Sequence, residues 1–151
     1  MRINSVIVSG LLWLIMQAVT ATSAHAQAVV DFQVEGDRIE RALAARAGDI
    51  TRGRSLAVAR DTSCILCHSL PEPDQRFYGD LGPALAGIGA RLTVAQLRLR
   101  LVDSRRLTPQ TIMPAYHVVD GLNRVAAGFR DKPLLNAEQI EDLIAYLGSL
   151  K

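Results

Sequence analysis

The segment that decides the fold is CILCH at residues 64–68, where two cysteines two residues apart are followed directly by a histidine. This spacing is the signature for covalent attachment of a c-type haem. On one helical turn the two thiols reach the two vinyl groups of haem, and the adjacent imidazole lies under the iron as an axial ligand. We therefore predict that Cys64 and Cys67 attach one haem c and that His68 ligates its iron.

Three other uses of these cysteines have less support. A thioredoxin-like redox pair needs a βαβ context, which the sequence pattern does not indicate. A zinc site needs a second pair of ligands, and the chain has 2 cysteines in total. A disulfide between residues at this spacing would be strained.

The first 26 residues have the features of a secretory signal peptide. Arg2 precedes the apolar run VIVSGLLWLIM at 6–16, and AHA at 24–26 is a small-x-small cleavage site, with AQA at 26–28 as a second candidate. The run is too short to span a bilayer comfortably, so an uncleaved anchor is the weaker alternative. We expect residues 1–26 to be removed, no membrane span to remain, and the mature chain to lie in the periplasm.

Removal of this segment leaves few residues that could ligate iron opposite His68. The mature chain keeps one methionine, Met113, and one further histidine, His117. Met113 precedes Pro114, whose ring restricts the local backbone, and a thioether there would give six-coordinate iron with a raised potential. We predict Met113 as the second axial ligand, with His117 as its rival and a vacant, gas-binding position as a third alternative.

The composition fits one globular domain with an unusual core. Of the 151 residues 49% are hydrophobic, but only 5% are aromatic, so a bound haem would supply part of the apolar centre. The 17 basic and 15 acidic residues give a net charge of +2, which does not favour nucleic-acid binding.

The pattern predicts an all-α fold of three to five helices with long ordered loops around the haem. Long loops are typical of a compact domain only when something organises them. We expect a signal peptide at 1–26, an N-terminal extension at 27–47 and a monohaem domain at 48–151. Asp49 suits the N-cap of the first long helix, and capping boxes are formed by Thr93 with Gln96 and by Asn136 with Gln139. Helices are predicted at 50–60, 93–103 and 137–149, with a further short one at 38–46, and loops at 79–89 and 118–135, the latter with a short hairpin as an alternative.

Two more features are assigned to the surroundings of the haem. The extended segment GPAL at 82–85 is predicted to supply a backbone carbonyl, at Pro83, that accepts a hydrogen bond from the second ring N–H of His68.

The helix at 93–103 is apolar on two sides, so we expect it either to be buried on both sides or to pack on a partner. Five arginines lie on or beside it, and we hypothesise that this surface, with Arg98 and Arg100, serves a partner or a haem propionate. The five are Arg91, Arg98, Arg100, Arg105 and Arg106.

From Gly48 onward the chain resembles the SoxX family, the small monohaem subunits of the SoxAX cytochromes of periplasmic sulfur oxidation. The resemblance lies in GDITRGR at 48–54, CILCHSLPEPDQRFYGDLGPALAGIGARL at 64–92, LRLRLVDSRR at 97–106, TIMPAYH at 111–117 and LLNAEQIEDLIAYLGSL at 134–150. The LPEP–RF segment before GP, and TIMPAY, are its more specific parts. CxxCH alone is shared by all c-type cytochromes.

The resemblance implies a cytochrome c-like fold in which Cys64 and Cys67 bind haem and His68 and Met113 are axial ligands. It also implies that Gly53 lets the first and last helices approach closely. The family's partner is a SoxA-like cytochrome subunit in a heterodimer, with a SoxYZ-like carrier as a transient partner and a downstream cytochrome or oxidase as electron acceptor. The complex resembles an L-cysteine S-thiosulfotransferase, whose SoxX subunit transfers electrons and is not catalytic by itself.

Two other functions stay open from the residues alone. The chain could be a free-standing monohaem electron shuttle to an oxidase or another redox partner. It could also be a haem sensor or peroxidase-like protein in which Met113 is displaced from the iron.

Overall fold

The computed structural model describes residues 28–151, and the predicted signal peptide lies outside the described residues. Within 28–151 the chain forms five α-helices and no strand, which confirms the predicted all-α class. The helices are α1 (Ile50–Val58), α2 (Cys64–Cys67), α3 (Ile88–Arg91), α4 (Val94–Asp103) and α5 (Ala137–Ser149), with 3₁₀ turns at Ser104–Arg106 and Ala127–Phe129.

The three longer helices begin where the capping residues predict. The Asp49 side chain accepts a hydrogen bond at 2.8 Å from the third residue of α1. Both capping boxes are present, Thr93 with Gln96 at α4 and Asn136 with Gln139 at α5. These side chains satisfy backbone N–H groups that have no partner inside the helix, and so fix the first residue of each.

Two sequence-based boundaries need correction. Helix α1 ends at Val58 rather than at residue 60, and α3 begins at Ile88, inside the predicted loop 79–89. Gly87 precedes α3 with φ of +68°, a conformation that glycine adopts without strain, and this allows the chain to turn into the helix there. The segment 118–135 is a loop with one 3₁₀ turn and, in this described part of the chain, no hairpin.

The prediction of a short helix at 38–46 is wrong. Backbone groups of this segment bond to distant parts of the chain instead of to each other. The Ile39 N–H donates to the Ala95 carbonyl at 3.1 Å, and the Leu43 N–H donates to the Glu141 carboxylate at 2.9 Å. The Ile39 carbonyl accepts from the Arg98 guanidinium at 2.6 Å. Because residues of α4 and α5 satisfy these backbone groups, the N-terminal extension lies across the two helices as an irregular segment.

Helices α1 and α5 cross in close contact, as the resemblance implies. A Cβ atom at Gly53 would overlap the Asp142 carbonyl and lie 2.8 Å from the Cβ of Tyr146. The Asp142 carboxylate accepts from the Arg52 guanidinium at 2.8 Å, which ties the two helices at the same point. The crossing fixes the end of α1, and therefore the start of α2, against the rest of the domain.

Apart from Val94, which is 51% exposed, helix α4 has the residues of both apolar sides buried within its own chain. Leu97 and Leu101 face an internal cavity, whereas Leu99 and Val102 are fully buried elsewhere. The sequence left open whether a partner protein covers the second apolar side of this helix. Residues of the same chain cover that side, which carries Leu99 and Val102.

Candidate haem site

A cavity of about 470 Å³ lies between α2, α4, α5 and the loops that follow α2 and α4. All five residues predicted for the site line it: Cys64, Cys67, His68, Pro83 and Met113. The residues come from segments far apart in sequence, so the fold itself assembles the group.

The walls of the cavity are mostly apolar. Leucine and isoleucine side chains from the helices and loops are the most frequent residues in its lining. They are Leu66, Leu81, Leu85, Ile88, Leu92, Leu97, Leu101, Leu107, Ile112, Leu143 and Leu147. An apolar slot with two thiols and an imidazole at one side fits the chemistry of a covalently attached porphyrin, so the residues present fit a haem c.

The two cysteines and the histidine share one helical turn. The His68 N–H donates to the Cys64 carbonyl at 2.9 Å, closing the turn that carries both thiols. Both thiols are free in the structure. Burial raises the pKa of the Cys64 thiol. A redox-active CxxC pair needs a lowered thiol pKa, so this environment does not favour the disulfide-exchange alternative.

The ring of His68 is held from the loop that follows α2. Its Nδ1 lies 2.7 Å from the Pro83 carbonyl oxygen, the contact that the segment 82–85 predicts. The loop is itself fixed, because the Gly82 N–H donates to the Cys67 carbonyl at 2.7 Å. With Nδ1–H as the donor, Nε2 is left with a free lone pair that could bind a metal.

Gly82 is a site residue that the sequence did not single out individually. A Cβ atom there would lie 2.6 Å from His68 Nδ1 and 2.8 Å from Nε2. The histidine ring therefore packs directly on the glycine backbone. The available sequence signal was the position of this glycine, immediately before the residue predicted to supply the accepting carbonyl.

The loop that carries Met113 is anchored on both sides of the residue. The Met113 N–H donates to Thr111 Oγ1 at 3.1 Å, and its carbonyl accepts from Ser104 Oγ at 3.1 Å. Pro114 follows and also lines the cavity. These contacts hold the only methionine of the described residues at the cavity wall.

Tyr116 lines the same cavity, and sequence reasoning missed it. It is 3% exposed, and its hydroxyl donates to the Thr62 carbonyl at 2.8 Å, beside Cys64. Burial raises the pKa of Tyr116, so the phenol stays neutral. The contact joins the methionine loop to the segment before the cysteines, and no local pattern indicated it.

His117 is not available as the rival ligand. It is fully buried outside the cavity, and both of its ring nitrogens are engaged. Nδ1 donates to the Leu135 carbonyl at 2.8 Å, and Nε2 accepts from the Val30 N–H at 3.0 Å. Burial lowers its pKa, and the neutral ring joins the N-terminal extension to the loop before α5.

The hypothesis about Arg98 is wrong, because this side chain is internal. It is 4% exposed and forms a two-pronged ion pair with Glu141, at 2.8 Å and 3.1 Å. It also donates to the carbonyls of Ile39 and Glu40. Arg98 therefore joins α4, α5 and the extension, and does not meet a partner.

The other arginines of the group divide by their contacts. Arg91 donates to carbonyls in the segment 84–86, and Arg105 pairs with Asp103 at 2.7 Å. Arg106 is largely exposed, 3.6 Å from Asp103. Arg100 is the one arginine of the group that lines the cavity.

The mouth of the cavity is apolar and open. Three side chains that line the cavity are also largely exposed: Leu66 at 57%, Leu81 at 72% and Ile112 at 74%. We call these three residues the cavity rim. Exposed apolar groups gathered around one opening are typical of a surface that meets another molecule.

No helix in residues 28–151 is both long and apolar enough to cross a bilayer.

Comparison with known proteins agrees with the geometry of the site. A family model described as "Cytochrome c" matches residues 50–151. No curated protein matches the chain. The structure is similar to a chain in the crystal structure of SoxXA from P. pantotrophus, with a TM-score of 0.74 and 34% sequence identity. That match covers 80% of this chain and 94% of the other. The chain belongs to the cytochrome c family and is a SoxX-like cytochrome, a haem protein of electron transfer.

Proposed function

We propose that this chain is the electron-transferring haem subunit of a SoxXA-type complex in the periplasm. The observation that carries the proposal is the meeting of Cys64, Cys67, His68 and Met113 at one apolar cavity. The 34% sequence identity to a chain in a SoxXA structure, in a match that covers 94% of that chain, supports this kind of complex.

Cys64 and Cys67 hold one haem c through thioether bonds. Each thiol would add across a vinyl group of the haem, so that a carbon–sulfur bond forms and the thiol hydrogen passes to the neighbouring vinyl carbon. His68 and Met113 would ligate the iron, with the Pro83 carbonyl orienting the imidazole. When bound, the haem supplies a one-electron ferric/ferrous couple. With His68 and Met113 both ligating the iron, this chain would bind no substrate there and would not be catalytic by itself.

The chain reaches the periplasm through the signal peptide at 1–26. The extension at 27–47 and the monohaem domain at 48–151 remain in the mature protein. The structure supports treating the extension as part of the folded unit, because Ile39 is fully buried and Leu43 is 7% exposed.

A SoxA-like cytochrome subunit covers the cavity rim in a heterodimer. Together the subunits act as an L-cysteine S-thiosulfotransferase, which conjugates thiosulfate to a cysteine of a SoxYZ-like carrier that binds transiently. This conjugation releases two electrons and a proton. The SoxX-like chain takes the electrons one at a time and passes them to a downstream cytochrome or oxidase.

The test is affinity purification of the full-length chain from the native periplasm, followed by mass spectrometry. The expected product starts near residue 27, carries one haem and co-purifies with a SoxA-like subunit. Leu81→Asp at the rim should reduce co-purification. Phe129→Asp is the matched control, because Phe129 is also exposed, at 46%, but does not line the cavity. A haem-loaded chain that purifies alone would indicate the free-standing shuttle instead.

Haem attachment is tested separately with Cys64→Ala. This variant keeps one thioether position and should mature with much less bound haem. Normal haem content in the variant would contradict the attachment of haem through Cys64.

A further inference from the structure

Arg100 is the only side chain with a permanent charge in the cavity wall formed by residues 28–151. It is half-buried on α4, and its Nη1 donates to the Gln96 carbonyl one turn earlier, at 3.1 Å. No carboxylate of the described residues forms a salt bridge with it. Its neighbour Arg98 forms an ion pair with Glu141. Of these two arginines of α4, therefore, only Arg100 is without a carboxylate partner among the described residues.

A guanidinium in the wall of an apolar cavity is stabilised by an anion bound next to it. Arginine stays protonated at every physiological pH, and burial of an unpaired charge is costly. A molecule that fills the apolar cavity would remove water from the Arg100 side chain. The haem c that Cys64 and Cys67 attach carries two propionate carboxylates, and the planar guanidinium fork binds a carboxylate through two parallel hydrogen bonds.

Arg100 lines the cavity together with a residue that anchors the methionine loop. Arg100, in the last turn of α4, and Ser104, in the 3₁₀ turn that follows, both line the cavity. Ser104 Oγ holds the Met113 carbonyl at 3.1 Å. The charge of Arg100 is thus at the same cavity as the loop that presents Met113.

We propose that Arg100 forms an ion pair with a haem propionate and thereby raises the reduction potential of the haem. The positive charge disfavours the ferric state more than the ferrous state, because the ferric state carries one more positive charge. It also keeps the paired propionate ionised to lower pH. This inference rests on the haem site and not on the identity of the redox partner.

The test is spectroelectrochemistry on the purified holo-protein across a pH range, after haem content has been measured by mass. Arg100→Gln should shift the one-electron equilibrium towards the ferric state by a factor of about ten, which is 59 mV. The pH at which the potential begins to fall should move upward, because the propionate has lost its cation. Arg100→Lys keeps a charge without the planar fork and should shift the potential less.

Arg106→Gln is the matched control, since Arg106 is 63% exposed and lies outside the cavity lining. It should leave both the potential and its pH dependence unchanged. The proposal is overturned if Arg100→Gln retains the wild-type potential and pH profile, or if the potential falls without a change in the pH profile. A shift in Arg100→Lys as large as that in Arg100→Gln would also overturn it. Loss of haem in every variant of the chain, the wild type included, would instead refute the haem site.

Discussion

The substitution Gly82→Ala tests how the histidine ring is oriented. The added Cβ would lie 2.6 Å from His68 Nδ1, whereas ordinary contacts between heavy atoms begin near 3.5 Å. Because His68 Cε1 lies closer still to the added Cβ, the ring or the loop must shift by at least about 0.9 Å. A shift of that size stretches the 2.7 Å contact between Nδ1 and the Pro83 carbonyl beyond hydrogen-bond length.

Loss of the hydrogen bond between His68 and the Pro83 carbonyl should change the reduction potential of the haem. A hydrogen bond from the second ring nitrogen increases the basicity of a metal-bound imidazole, and its removal typically weakens the metal site 10- to 100-fold. Because a more basic ligand favours the ferric state, the potential of Gly82→Ala should rise. If a tenfold weakening falls on the ferric state alone, the rise is about 59 mV, measured by spectroelectrochemistry.

Gly128→Ala is the matched control for this substitution. A Cβ atom at Gly128 has nothing within 4 Å, so this variant should keep the wild-type potential and haem content. If Gly82→Ala also keeps the wild-type potential, the contact between His68 and Pro83 does not orient the ligand, and the reasoning is refuted.

Two further predictions concern the contacts that hold the extension to the domain. Arg98→Met leaves the buried Glu141 carboxylate without its cation and should destabilise the protein by about 3–5 kcal/mol. At a urea m-value of about 2 kcal/mol/M, the unfolding midpoint falls by about 2 M, and a fall below about 0.5 M would show that the pair is not structural. His117 has a lowered pKa in the folded state, so its contribution to stability is complete above the unfolded pKa of about 6.5 and is lost as the pH falls below it. Unfolding measured one pH unit below 6.5 should show a loss of up to about 1.4 kcal/mol relative to neutral pH. His117→Gln should remove that slope, and an unchanged slope would mean that other groups cause it.

Local patterns were sufficient for the parts of the fold that depend on neighbouring residues. The capping boxes at Thr93 and Asn136 fixed the starts of α4 and α5, because capping involves residues three positions apart. The CxxCH turn likewise places its thiols and imidazole within one turn of helix. The contact between His68 and Pro83 could be predicted from the sequence because the two residues lie only 15 positions apart in one connected loop.

The parts that sequence reasoning missed depend on residues far apart in the chain. Arg98 and Glu141 are separated by 43 positions, and His117 and Val30 by 87. A periodic pattern shows that a helix face is apolar, but it does not show which charged residue is buried with a distant partner. For the same reason the sequence treated Arg98 and Arg100 alike, although one is an internal ion pair and the other faces the cavity.

We propose that Met113 and His68 ligate the iron of a haem fixed by the CxxCH turn. The near-infrared spectrum of the oxidised holo-protein tests it most directly, because sulfur ligation of ferric haem by methionine gives a weak characteristic band. We expect the band in the wild type and in His117→Gln, and its loss in Met113→Leu. A wild-type protein that lacks the band, and binds carbon monoxide readily when reduced, would contradict the claim and indicate a haem sensor or a peroxidase-like protein.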